Sequence, residues 1–134
     1  DDTNTIPMWF QVPISSYVSI LNDCHYSYAN HWKNAAHLMQ DSIKAKDVEI
    51  ALNAKNPGSY FVGAELAMLE YTEKLTLKPG EMIETDVIKL RKNGVDDGQV
   101  LELNHFIGYF NYVNRLLNGL GVTTSGDTVG FYKD

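Results

Sequence analysis

Asp96-Asp97-Gly98-Gln99-Val100-Leu101-Glu102-Leu103-Asn104-His105-Phe106-Ile107-Gly108-Tyr109-Phe110-Asn111-Tyr112-Val113-Asn114-Arg115-Leu116-Leu117-Asn118-Gly119-Leu120-Gly121 is the stretch whose reading decides the fold. Leu103, Phe106, Ile107, Phe110, Val113, Leu117 and Leu120 recur at three- and four-residue intervals, the spacing of one wide apolar face on a helix. Asp96 or Asp97 supplies the N-cap, and Gly119 or Gly121 the stop. An apolar face of that width is covered by other helices, so the core is helix on helix.

Upstream, Ala64, Ala67, Met68, Tyr71 and Leu75 repeat at helical spacing and stop before Pro79 and Gly80. Ile83, Val87 and Leu90 mark a further helix ending near Gly94, and a short helix is expected around Asp47 to Asn53, closed by the turn signal Asn56-Pro57-Gly58. Residues 15 to 22 are too short for their period to separate helix from strand and are read as helix. Asp23 caps a second helix from about Cys24 to Asp41, with Tyr28, Trp32, Ala35 and Met39 as its buried stripe. Residues 1 to 14, with Pro7, Pro13, Met8, Trp9 and Phe10, read as an extended arm packing onto something, and residues 122 to 134 as a tail. The organisation is one helical domain over residues 15 to 121 between these two segments.

At 134 residues and 44% apolar content the chain closes a single core. A formal charge of −6 gives no field for a polyanion, and no apolar run is long enough to span a bilayer. Nucleic acid and membrane are therefore not expected as partners. Cys24 is the one cysteine, which rules out a disulfide within the chain and fits a reducing, cytoplasmic setting. The chain opens on Asp1 and not Met, as a processed form or a fragment would.

Cys24, Ser27 and His31 stand at i, i+3 and i+7, so one helix face carries all three. A thiol in a first helical turn meets unsatisfied N–H groups and the positive end of the macrodipole, which favour thiolate. His31 is placed to shuttle a proton. The blander alternative is a buried Cys acting as a small hydrophobe, a Ser filling the surface and a His packed beside Trp32. His31 and His37 are six residues apart on different helix faces, so neither a metal ion nor another cofactor is expected.

Asn22-Asp23-Cys24-His25-Tyr26-Ser27 followed by His31 resembles the Asn-Gly-Cys-x-Tyr-Cys-x-x-x-His signature of alkylhydroperoxidase D-like proteins, the carboxymuconolactone decarboxylase family. The resemblance continues through residues 67 to 76, Thr85-Asp86-Val87 with Leu90, Tyr109 to Arg115, and Gly119-Leu120-Gly121-Val122, which is similar to the peroxidase-related subgroup. It implies a compact all-α bundle that assembles into oligomers, with a site of two Cys, a His and a Glu that reduces peroxides. Carried over by position, Cys24 matches the first Cys, Ser27 the second and His31 the motif His. Two departures follow. Ser27 cannot form the resolving disulfide, and the family's acidic position falls near Val12, where Gln11, Val12 and Pro13 offer no carboxylate. Either the acid has been dispensed with, or Glu65 or Glu70 approaches in three dimensions.

The resemblance thus implies a thiol oxidoreductase whose peroxide turnover is weak or lost, using a peroxide or another small molecule and an external thiol reductant. The alternatives are a catalytically silent oligomeric binding protein and a thiol-independent lactone decarboxylase or isomerase in which His31 remains useful. A homo-oligomer is expected, because the apolar arm around Trp9 and the wide face of the last helix exceed what one small bundle needs. Three further residue groups have structural readings: His105 as a satisfied core or interface residue, Arg115 paired with an acid between helices or subunits, and Glu70 with Lys74 as an i, i+4 ion pair.

Overall fold

A computed structural model describes residues 6–25 and 42–121, and the architecture is all-α, with no strand among them. Five helices follow in order: α1 (Met8–Leu21), α2 (Ser42–Asn53), α3 (Gly63–Leu77), α4 (Glu84–Lys92) and α5 (Asp97–Gly119). Short 3-10 turns at Pro57–Ser59 and Pro79–Glu81 fall on the Pro-Gly signals of the sequence. Of the expected helix from Cys24 to Asp41, residues 26–41 lie outside the described residues, as does the tail from residue 122.

The N-terminal arm is the main correction, because helix α1 begins at Met8 and runs through Pro13 to Leu21. Pro13 lacks an N–H and costs about 3 kcal/mol in a helix interior. Burial offsets that cost: Phe10, Ile14, Tyr17, Val18 and Leu21 recur at helical spacing and are all buried. Ile6 is buried too, and its N–H donates to Glu102 at 2.6 Å, pinning the entry to α1 against α5. Trp9 is likewise used within the chain, edge-on to Phe10 at 5.4 Å between ring centroids and with the Lys44 ammonium 4.8 Å over its ring. Of the arm's apolar residues, Ile6, Trp9 and Phe10 are thus taken up by the protein's own core, while Met8 stays exposed.

Helix α1 forms the centre of the bundle, packing most extensively on α5 and α3 and also on α2. Helix α2 starts earlier than expected and buries Ala45, Val48, Ala51 and Leu52. Helix α4 opens with the Asp86 carboxylate accepting from the Ile83 N–H at 2.8 Å, and ends where Gly94 takes φ +88°, letting Val95 turn back into the core. For α5 the cap is Asp96, which accepts from Gln99 N–H at 2.8 Å while Gln99 accepts from Asp96 N–H at 3.1 Å, a reciprocal capping box. Leu103 and Ile107 of that helix are fully buried against α1 and its neighbours.

Two expected ion pairs are rearranged. Lys74 reaches across to both oxygens of Asp86 at 3.0 and 2.9 Å, and Glu70 pairs with Lys89 at 3.3 Å, so α3 is tied to α4 and not to itself. Arg115, expected to meet an acid, donates instead to Asn111 Oδ1 at 2.7 Å one turn back on α5. Among the described residues no helix is long and apolar enough to cross a membrane.

Candidate functional site

Helix α1 ends in a two-residue reversal. Asn22 closes its last turn, Asp23 adopts the left-handed conformation at φ +55°, and the Cys24 N–H returns to the Ser19 carbonyl at 2.8 Å. An L-residue with a Cβ pays a conformational penalty there that glycine does not. A short polar Asp is among the few non-glycine residues that this conformation tolerates.

The reversal places Cys24 at the seam between α1 and α5, where it is 2% exposed. Its thiol donates weakly to the Asn114 carbonyl at a sulfur–oxygen distance of 4.0 Å. The surrounding seam is built of amides. Asn22 Nδ2 donates to Asn111 Oδ1 at 2.9 Å and to Asn114 Oδ1 at 3.1 Å, and Asn118 Nδ2 donates to the Asn22 carbonyl at 3.0 Å. Fully buried Asn114 donates in turn to Ser19 Oγ at 3.4 Å, and Asn111 to Thr76 Oγ1 at 3.2 Å. The structure buries Asn114 at the thiol and leaves Arg115 on the outside.

A hollow of about 230 Å³ meets Cys24, with Ser19, Ile20, Asp23, His25, Asn53 and Lys55 on its wall. Both non-glycine residues with positive φ among the described residues, Asp23 and Lys55, border it. Backbone held in a sparsely populated region recurs at functional sites. Neither Glu65 nor Glu70 lines this hollow. Burial pushes the Glu65 carboxyl up while nearby Lys44 opposes the shift, and Glu70 faces Lys89. The described carboxylate on the hollow's wall is Asp23, exposed and 3.5 Å from His25 Nε2.

A larger hollow, of about 610 Å³, lies between the Lys55 to Gly58 turn and the end of α3 and shares Lys55 with the thiol hollow. Glu73 on its wall accepts a 2.5 Å hydrogen bond from Tyr17, which is buried in α1. Burial, and then the Glu73 carboxylate, hold the Tyr17 phenol protonated well above its usual range. Of the predicted site residues, Cys24 is at the seam, whereas Ser27 and His31 lie outside the described residues. His105 is exposed on the outer side of α5, so of its reading as a core or interface residue the core part does not hold.

Neither a protein-family model nor a curated protein sequence matches this chain. Among solved structures, an uncharacterized peroxidase-related protein from Silicibacter sp. TM1040 superposes with a TM-score of 0.77 at 21% sequence identity. The two chains share this all-α fold. The match covers 89% of this chain and 60% of that protein, so the chain spans less than two thirds of its relative's length.

Proposed function

We propose that this chain is a peroxidase-related thiol oxidoreductase of the alkylhydroperoxidase D-like kind, in which Cys24 is the redox atom and Ser27 stands where a second thiol would act. The observation that carries this reading is the position of Cys24: directly after a left-handed turn, against α5, at a hollow bordered by two strained residues, in a fold shared with a peroxidase-related protein. In the reaction the Cys24 thiolate attacks one peroxide oxygen. The S–O bond forms, the O–O bond breaks, and the departing oxygen leaves as an alcohol or water once protonated, a role His31 takes by resemblance. An external thiol then condenses with the sulfenic acid, releasing water and forming a mixed disulfide. A second external thiol displaces Cys24 and leaves as the symmetric disulfide.

Burial of Cys24 favours a second reading, a bundle that keeps the fold for binding and has lost turnover. Peroxide consumption with a small thiol reductant, measured on this chain, Cys24→Ala and Ser27→Cys, separates the two. Slow turnover that Cys24→Ala abolishes and Ser27→Cys accelerates supports the oxidoreductase. Consumption unchanged by Cys24→Ala would sink it.

A further inference from the structure

The hollow of about 610 Å³ has no part in the chemistry proposed at Cys24, yet its volume lies within the range of about 300–1,000 Å³ usual for small-molecule sites. Its wall is ionic: Lys55, Lys74 and Lys78 stand with Glu70, Glu73 and Glu81, and Pro57 and Leu77 supply its apolar side chains. Such a lining suits a polar ligand and not a fatty chain. Three of these charges are already used. Both Asp86 oxygens hold Lys74, Lys89 pairs with Glu70 at 3.3 Å, and Glu73 accepts from Tyr17. Lys55, Lys78 and Glu81 are exposed, and none of the three has an ion pair or side-chain hydrogen bond among the described residues. Two ammonium ions and one carboxylate therefore remain at one hollow. The complementary ligand carries two carboxylates and one ammonium. Helices α2 and α3 both end beside this hollow, and their negative macrodipole ends join Glu81 as a place for the ligand's ammonium.

Lys55 is held in place by the backbone. Its φ of +55° closes α2, with the Lys55 N–H returning to the Leu52 carbonyl and the Asn56 N–H to the Ala51 carbonyl, both at 3.0 Å. The residue so fixed also borders the thiol hollow, together with Cys24 and Asn53. A ligand anchored on Lys55 is thereby kept next to the hollow that Cys24 lines.

We propose that the larger hollow binds a small peptidic acid with two carboxylates and one ammonium, its carboxylates on Lys55 and Lys78, and that this ligand is the external thiol of the oxidoreductase described above. The second half rests on Cys24 being the redox atom. With the ligand seated, its thiol condenses with the Cys24 sulfenic acid: the S–S bond forms and water leaves.

Glutathione carries this set of groups, and its S-methyl thioether probes binding without redox chemistry. In an amide NMR titration the thioether is expected to bind with a Kd of about 1 mM or tighter. The shifted amides should be those of the Lys55 to Gly58 turn and of Leu77, Lys78 and Glu81. Capping both carboxylates, in the diethyl ester of the thioether, is expected to weaken binding about tenfold or more, as is the double variant Lys55→Met with Lys78→Met. In the peroxide assay glutathione is expected to outpace mercaptoethanol about tenfold at equal concentration. No shifts at these residues, an ester that binds as well, binding indifferent to both lysines, or equal rates with the two thiols would each overturn the proposal and leave the oxidoreductase standing. That reading fails separately, if neither thiol supports peroxide consumption, and the titration then still decides whether the hollow takes the ligand.

Discussion

The sulfur of Cys24 and the carbonyl oxygen of Asn114 meet at 4.0 Å across 90 residues of sequence, with the thiol donating. A probe must open this seam before it reaches sulfur, so reactivity reports local opening. A disulfide reagent of the dithionitrobenzoate type is expected to modify folded Cys24 about thirtyfold or more slowly than the unfolded chain, which corresponds to an opening cost of about 2 kcal/mol. Equal rates in the two states would contradict the burial.

Asn114 holds that seam through Asn22 and Ser19. Removing its amide takes one hydrogen bond from half-buried Asn22 and one from buried Ser19, which keep Asn111 and the Ser15 carbonyl as partners, and the two losses cost about 1–3 kcal/mol. Asn114→Ala is expected to lower the urea midpoint accordingly and to speed modification of Cys24. A destabilised protein whose thiol stays as slow as before would show that the amide seam does not govern access.

Tyr17 donates to Glu73 from inside the core, and burial with that carboxylate raises the phenol's folded pKa. The stabilisation is complete below the unfolded value of about 10 and is lost as pH rises beyond it toward the folded value. Tyr17→Phe is expected to cost about 1–2 kcal/mol at neutral pH. It should also flatten the alkaline fall in stability, so parallel curves for the two proteins above about pH 10 would refute the assignment.

Asp86 runs the other way. Its hydrogen bond from the Ile83 N–H and then the Lys74 ammonium hold its pKa below the ordinary carboxylate range. Its contribution is present above the unfolded value of about 3.9 and lost as pH falls through the folded one. Asp86→Asn is expected to leave the stability measured near pH 2 almost unchanged while lowering it at pH 6, a comparison that thermal melts can make.

Asp23 offers a backbone test. At φ +55° a β-branched residue is strained where glycine is not. Asp23→Val is expected to cost about 1–2 kcal/mol, and Asp23→Gly to change stability by less than about 1 kcal/mol. Similar losses in both would mean that the Asp side chain matters more than the turn.

The periodic segments were legible because their apolar residues repeat at one spacing. Leu103 and Ile107 of α5, and Ala67, Met68 and Tyr71 of α3, are buried as that spacing requires. The Asp96 cap was equally readable, since a capping box is written in adjacent residues. Helix α1 was not. Two prolines punctuate it, and the burial that overrides Pro13 depends on α3 and α5, which a local reading does not see. At the thiol, the turn preceding Cys24 was encoded by Asn22-Asp23, but the amide seam required Asn111, Asn114 and Asn118 to be brought from the far end of the chain. Likewise Lys74 stands four residues from Glu70 and yet chooses Asp86, because α4 packs alongside and presents a carboxylate that already faces it.

The amide seam also acts as an index mark between two helices. Oil-like side chains alone would tolerate α1 sliding along α5, since a shift of one helical turn, about 5.4 Å, replaces one apolar contact with another. The asparagines do not tolerate it: a one-turn slide would part Asn22 from Asn114 and Asn118 together, taking that partner from the buried Asn114 amide. The height of Cys24 along α5 is thereby set in discrete steps, by amides that themselves carry no redox chemistry.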